Sequence, residues 1–152
     1  LIYSSSVFHR QIAVITKKPK DGYSKCLSDI ASILCPLSFA EICLLDDLVT
    51  KAGNRMIRKI RVPNSDTGEG KSSGYRVIVL CDMDAGRAYL LFVYPKKGKL
   101  GSPDLTTNGA SILLHEFDKV KAAGEKFEPI CTSTESIPAV VAEESSVYLP
   151  SV

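Results

Sequence analysis

The sequence predicts one α+β domain built on a central, mainly antiparallel, twisted sheet. Three observations carry that expectation. Apolar residues recur at helical spacing through the first third of the chain, residues 54–99 read as three consecutive strands separated by turn formers, and a further helical stripe follows at 110–123. The 152 residues suffice for one domain with a real core.

The elements follow in order. Leu1-Ile2-Tyr3 is a short apolar start that suits an edge strand, and Ser4 to Ser6 offer N-caps for a helix. Val7, Phe8, Gln11, Ile12, Val14 and Ile15 form its stripe, and the Lys17-Lys18-Pro19-Lys20-Asp21-Gly22 run stops it. A second helical pattern runs from Tyr23 through Cys26, Ile30 and Leu34 to Leu37, and Pro36 should kink or split it. Residues 39–49 are expected to continue as helix, ended by Gly53-Asn54. Residues 56–62 are the first central strand, 63–70 a polar loop, and 75–81 the second strand. Asp82 to Gly86 make a tight connection to a third strand at 87–94, which Pro95 closes. The last helix ends at Gly124.

The composition then shifts. Residues 125–152 carry five acidic residues against one Lys and lose periodicity, so the chain divides into a domain at 1–124 and an acidic tail at 125–152. Two apolar patches in that tail, 137–142 and 147–149, suggest that it folds back over the basic face or along a sheet edge. The opening residues lack the basic and long apolar runs of a signal peptide, and the missing initiator Met suggests a start just inside the natural N-terminus. The apolar stretch at 30–49 is interrupted by Pro36, Glu41, Asp46 and Asp47, so it reads as buried helix and not as a membrane span. Five cysteines in no paired or zinc-like spacing read as buried free thiols in a reducing cytosol.

Charge is distributed unevenly. Residues 51–99 hold 11 Lys and Arg against 4 Asp and Glu, whereas the rest of the chain holds 8 against 13. Strand alternation puts Lys59, Arg61 and Arg76 on one face, with Lys96, Lys97 and Lys99 beyond the third strand. A basic face rich in Arg is the footprint of a polyanion partner such as nucleic acid. The region contains no His and no carboxylate cluster suited to a metal, and His9 and His115 read as surface or packing residues.

Arg58-Lys59-Ile60-Arg61-Val62, Gly70-Lys71-Ser72-Ser73-Gly74-Tyr75-Arg76, Tyr89 to Lys97 and Asp104-Leu105-Thr106 resemble the RelE/HigB branch of the RelE/ParE type II toxin superfamily. The resemblance covers about residues 1–123 and is most specific over the Lys-Ser-Ser-Gly-Tyr-Arg segment. It implies the RelE-like arrangement, with two N-terminal helices packed on one face of the sheet and a C-terminal helix. It further implies a cytoplasmic toxin that cleaves mRNA in the ribosomal A site without metal or cofactor. Its partners would be mRNA, the ribosome and a cognate antitoxin, with no membrane.

Carried onto this sequence, the family pattern makes Lys59 the general base, activated by surrounding cations. Arg61 and Arg76 stabilise the phosphorane-like transition state, and Lys97 or Lys96 serves the leaving oxygen. Arg58, Lys71, Lys96 and Lys99 would hold RNA. Where some members carry a base-stacking Tyr, this chain reads Ser102-Pro103-Asp104-Leu105. Two alternatives share the fold: a ParE-like gyrase poison without nuclease activity, and a non-catalytic module that binds RNA or an antitoxin.

Overall fold

The computed structural model describes residues 2–131. Their elements are β1 (Ile2–Ser4), α1 (Ser6–Thr16), a 3-10 turn (Pro19–Asp21), α2 (Cys26–Leu34), α3 (Phe39–Cys43), β2 (Asp47–Ala52), β3 (Arg55–Val62), β4 (Tyr75–Asp82), β5 (Arg87–Pro95), α4 (Thr107–Ala122) and β6 (Glu128–Pro129). They make a mixed α+β fold around one mostly antiparallel sheet, ordered β2-β3-β4-β5-β1-β6. Among the described residues, no helix is long and apolar enough to cross a membrane, and no group of acidic, His and Cys side chains could hold a metal.

The helix starts follow capping chemistry. Ser5 accepts the Phe8 N–H at the head of α1, and Ser38 and Glu41 cap α3 reciprocally. α2 ends at Leu34, two residues before Pro36, so the proline splits the helical pattern.

The expected helix over 39–49 is corrected. α3 lasts five residues, Asp46 turns the chain at φ 51°, and Asp47–Ala52 is a strand. Gly53-Asn54 is the two-residue turn of a hairpin in which Ala52 pairs with Arg55, and Gly53 takes φ 60°. The same dipeptide fits a helix C-cap, and the β-branched Val49-Thr50 beside it were the sign of a strand. β1 is also not an edge. It lies parallel to β5 and takes β6 as its outer neighbour.

Strand alternation builds two cores. Ile60 and Val62 of β3, Tyr75, Val77 and Val79 of β4, and Leu90 and Val93 of β5 meet Phe8, Ile15, Ile30, Leu34 and Ile42 of the three N-terminal helices. Ile57, Ile78, Leu80, Tyr89 and Tyr94 face the other way, against Ala110 and Phe117 of α4. Each fully buried Ile or Leu contributes about 1.5–3 kcal/mol. A bulge keeps both faces apolar through β5. Ile78 pairs with Phe92 and Val79 with Leu90, so Leu91 is an extra residue.

Two expectations about the C-terminal part change. Residues 125–131 belong to the fold. The Glu125 carboxylate accepts the Ser6 N–H at the start of α1, Phe127 stacks on Phe117, and the Ile130 N–H donates to the Ile2 carbonyl. This strap therefore runs from α4 on one face, forms the edge strand β6 beside β1, and reaches the other face. There Cys131 forms a disulfide with Cys35, which ends α2. Cys26, Cys43 and Cys81 remain free and buried, and burial first of all pushes the Cys26 and Cys81 thiols up to about 12. The two apolar patches, 137–142 and 147–149, lie outside the described residues.

Candidate nucleic-acid interface

β3 and β4 pair in full register, with Arg61 directly opposite Arg76 and Lys59 opposite Ile78. Lys59 and Arg61 lie two residues apart on the face of Ile57, and Arg76 lies two residues from Ile78 on that same face. The three cations therefore share one face, beyond the part that α4 covers.

The turn before β4 shows why its residue types are needed. Gly74 lies against the Val62 carbonyl and the backbone of Pro63 and Asn64, and a Cβ there would collide with that backbone. The close approach lets the turn fold onto the end of β3. Arg76 then secures the turn: its guanidinium donates to the Lys71 carbonyl at 2.9 Å, the Ser72 carbonyl at 3.0 Å and the Tyr75 carbonyl at 3.3 Å. It is only 6% exposed. The fold buries Arg76 and spends three of its donors on backbone carbonyls.

Three carboxylates join the cations, and none was singled out as a site residue. Asp104, on the loop before α4, places Oδ1 3.0 Å from Lys96 Nζ and 3.6 Å from Lys59 Nζ. Asp47 lies 3.4 Å from the Arg61 guanidinium and 4.0 Å from Lys59 Nζ. Asp46 accepts the Arg61 backbone N–H at 2.7 Å. The hydrogen bond from Lys96, helped by the charges of Lys59 and Arg76, holds the Asp104 carboxyl below its ordinary value. Tyr94 fixes the loop: its hydroxyl accepts the Leu105 N–H at 3.0 Å and lies 3.5 Å from Asp104 Oδ1. Lys59 is 16% exposed and lies between two carboxylates. The setting expected for it, a lysine among cations alone, is corrected.

The remaining basic residues separate. Lys96 joins the cluster through Asp104. Lys97 instead lines a small cavity of about 50 Å³ with Asp21, Tyr23, Asn64 and Glu69, and its carbonyl accepts the Tyr23 hydroxyl. Lys99 extends toward Asp21 at 3.9 Å. Arg58 lies on the opposite face of β3, where its Nε donates to the Cys43 carbonyl at 2.6 Å. Lys71 is exposed on the turn that Arg76 secures. His9 bonds Ser4 at 2.6 Å beside β6, and His115 is exposed on α4.

The arrangement can bind a phosphodiester through the free edge of Arg61, the ammonium groups of Lys59 and Lys96, and the field of the buried Arg76. Comparison with protein-family models, with curated proteins and with solved structures finds no match.

Proposed function

We propose that the protein is an mRNA endoribonuclease of the RelE/HigB toxin type, acting without metal in the ribosomal A site and neutralised by a cognate antitoxin. One observation carries the reading: Arg61 and Arg76 stand opposite each other on paired strands, with Lys59 beside them on the same face. The resemblance of Lys71 to Arg76 and of Arg58 to Val62 supplies the family.

In the proposed reaction the 2′-hydroxyl attacks the adjacent phosphorus. The 2′-oxygen to phosphorus bond forms, the bond to the 5′-oxygen breaks, and a cyclic phosphate results. The family pattern assigns the 2′-proton to Lys59, whose amine Asp47 and Asp104 hold toward the site. Arg61 donates to the non-bridging oxygens, where each well-placed donor is worth about 3 kcal/mol in the transition state. Arg76 adds field and holds the turn. Lys96 returns a proton to the departing 5′-oxygen; it fits better than Lys97, because it reaches the Asp104 side of the cluster.

The test is to add the protein to translating ribosomes and map the new mRNA ends. Codon-positioned cuts that leave cyclic phosphates are expected, and they should disappear with Lys59→Ala. Intact mRNA, or DNA breakage when gyrase is supplied instead, would overturn the reading.

A further inference from the structure

A single oxygen, Asp104 Oδ1, lies 3.0 Å from Lys96 Nζ and 3.6 Å from Lys59 Nζ, and Tyr94 approaches it at 3.5 Å. Two ammonium groups converging on one anionic oxygen make the environment that a non-bridging phosphate oxygen would take. The carboxylate is half exposed, on a loop between β5 and α4, so it can leave without disturbing the core. Lys59, by contrast, is largely covered, and its ammonium is fixed in place.

We propose that Asp104 occupies the phosphate subsite of the free protein and that RNA replaces it there. Asp104 is then a positioning residue with two effects. It keeps Lys59 and Lys96 aligned toward one point, and it sets a threshold that a weakly bound anion does not cross. Asp47 holds Arg61 in the same way but more loosely, at 3.4 Å. The ligand class is a phosphodiester of single-stranded RNA. This inference rests on the RNA-binding reading above, and its test separates the two.

The test measures binding of a short single-stranded oligoribonucleotide by the wild type, Asp104→Asn, Asp84→Asn and Arg61→Ala. Asp104→Asn keeps the side-chain shape and removes the charge. Asp84 lies at the other end of β4, where it accepts from Asn54, so Asp84→Asn removes the same charge away from the cluster. Asp104→Asn should bind roughly three- to tenfold tighter at low salt, a gain that fades as salt rises, and Asp84→Asn should stay within about twofold of wild type. Thermal unfolding of Asp104→Asn should match wild type, which separates the effect from a structural one. If wild type binds, Arg61→Ala weakens binding and Asp104→Asn gains nothing, the subsite proposal fails and the RNA reading stands. Equal gains in both Asn variants would reduce the effect to net charge and also overturn the proposal. If neither wild type nor Asp104→Asn binds RNA at any salt, both readings fail.

Discussion

The two faces of the sheet are built by the same strands and solve different problems. On β3, Ile60 and Val62 face the three N-terminal helices, while Ile57, Lys59 and Arg61 face the other way. On β4, Tyr75, Val77 and Val79 alternate with Arg76, Ile78 and Leu80. The face under the three N-terminal helices is apolar apart from Arg58, whose Nε donates to the Cys43 carbonyl. The α4 face is apolar only where α4 sits, over Ile57, Ile78 and Leu80, and becomes cationic beyond it. The pleat therefore lets one pair of strands serve as core and as the proposed binding surface, and the helix on the second face decides where one role ends. The cationic end is held by ion pairs and backbone carbonyls instead of packing, so its side chains should separate into those that support the fold and those left free for a ligand.

The largest expected effect breaks the covalent tie between the faces. The Cys35–Cys131 disulfide spans 96 residues, and loops of that length gain about 4–5 kcal/mol in the chain-entropy description. Reduction should lower the thermal midpoint by roughly 10 °C, measured with and without a reductant that leaves the buried thiols unmodified. An unchanged midpoint would mean that the strap is held by its hydrogen bonds and aromatic contacts alone.

The paired arginines sharpen the comparison within the cationic end. Arg76→Ala should cost about 2–3 kcal/mol in urea unfolding, because it leaves the carbonyls of Lys71 and Ser72 without their charged donor. Arg61→Ala should cost under about 0.5 kcal/mol, since its side chain is 45% exposed and its ion pair with Asp47 is solvated. Equal costs would show that the two positions are not divided between fold and ligand as described.

A smaller effect tests how α4 is fastened to the second face. Arg55 grips Asp118 of α4 through two hydrogen bonds, at 2.7 and 3.1 Å, and these first of all lower the Asp118 pKa below 3.8. A depressed carboxylate stabilises the fold fully above its unfolded value, and the contribution is lost as pH falls through the folded value. Stability should therefore drop as pH falls below about 3.8, and Asp118→Asn should remove part of that drop, worth about 0.5 kcal/mol after solvent screening. An identical acid profile in the variant would assign the pair no role in docking α4.

Much of this was legible in the alternation of residues. Ile57, Lys59 and Arg61 against Ile60 and Val62 fix which way β3 faces, and the turn residues around Gly86 mark the β4–β5 hairpin. β2 was hidden because Gly53-Asn54 suits both a helix end and a hairpin turn, which left the β-branched Val49-Thr50 as the one local sign of a strand. β6 is two residues long and contains Pro129, too little for any periodic signal. The disulfide joins cysteines whose separation says nothing of their proximity. At the site, strand parity placed Lys59, Arg61 and Arg76 together, whereas Arg58, expected to hold RNA, lies on the opposite face. Asp47 and Asp104 reach the cluster only through the fold, one from the edge strand and one from the loop before α4. The use of Arg76 was also hidden, because its partners are carbonyls, which every residue carries.

The central claim is that RNA is read by one face of β3. Arg58 and Lys59 are sequence neighbours on opposite faces, so their alanine variants form the most direct test. Affinity for a single-stranded oligoribonucleotide, measured at low salt on folded protein, should fall at least about tenfold for Lys59→Ala and less than about twofold for Arg58→Ala. An equal loss in both variants, or a larger one in Arg58→Ala, would contradict the claim.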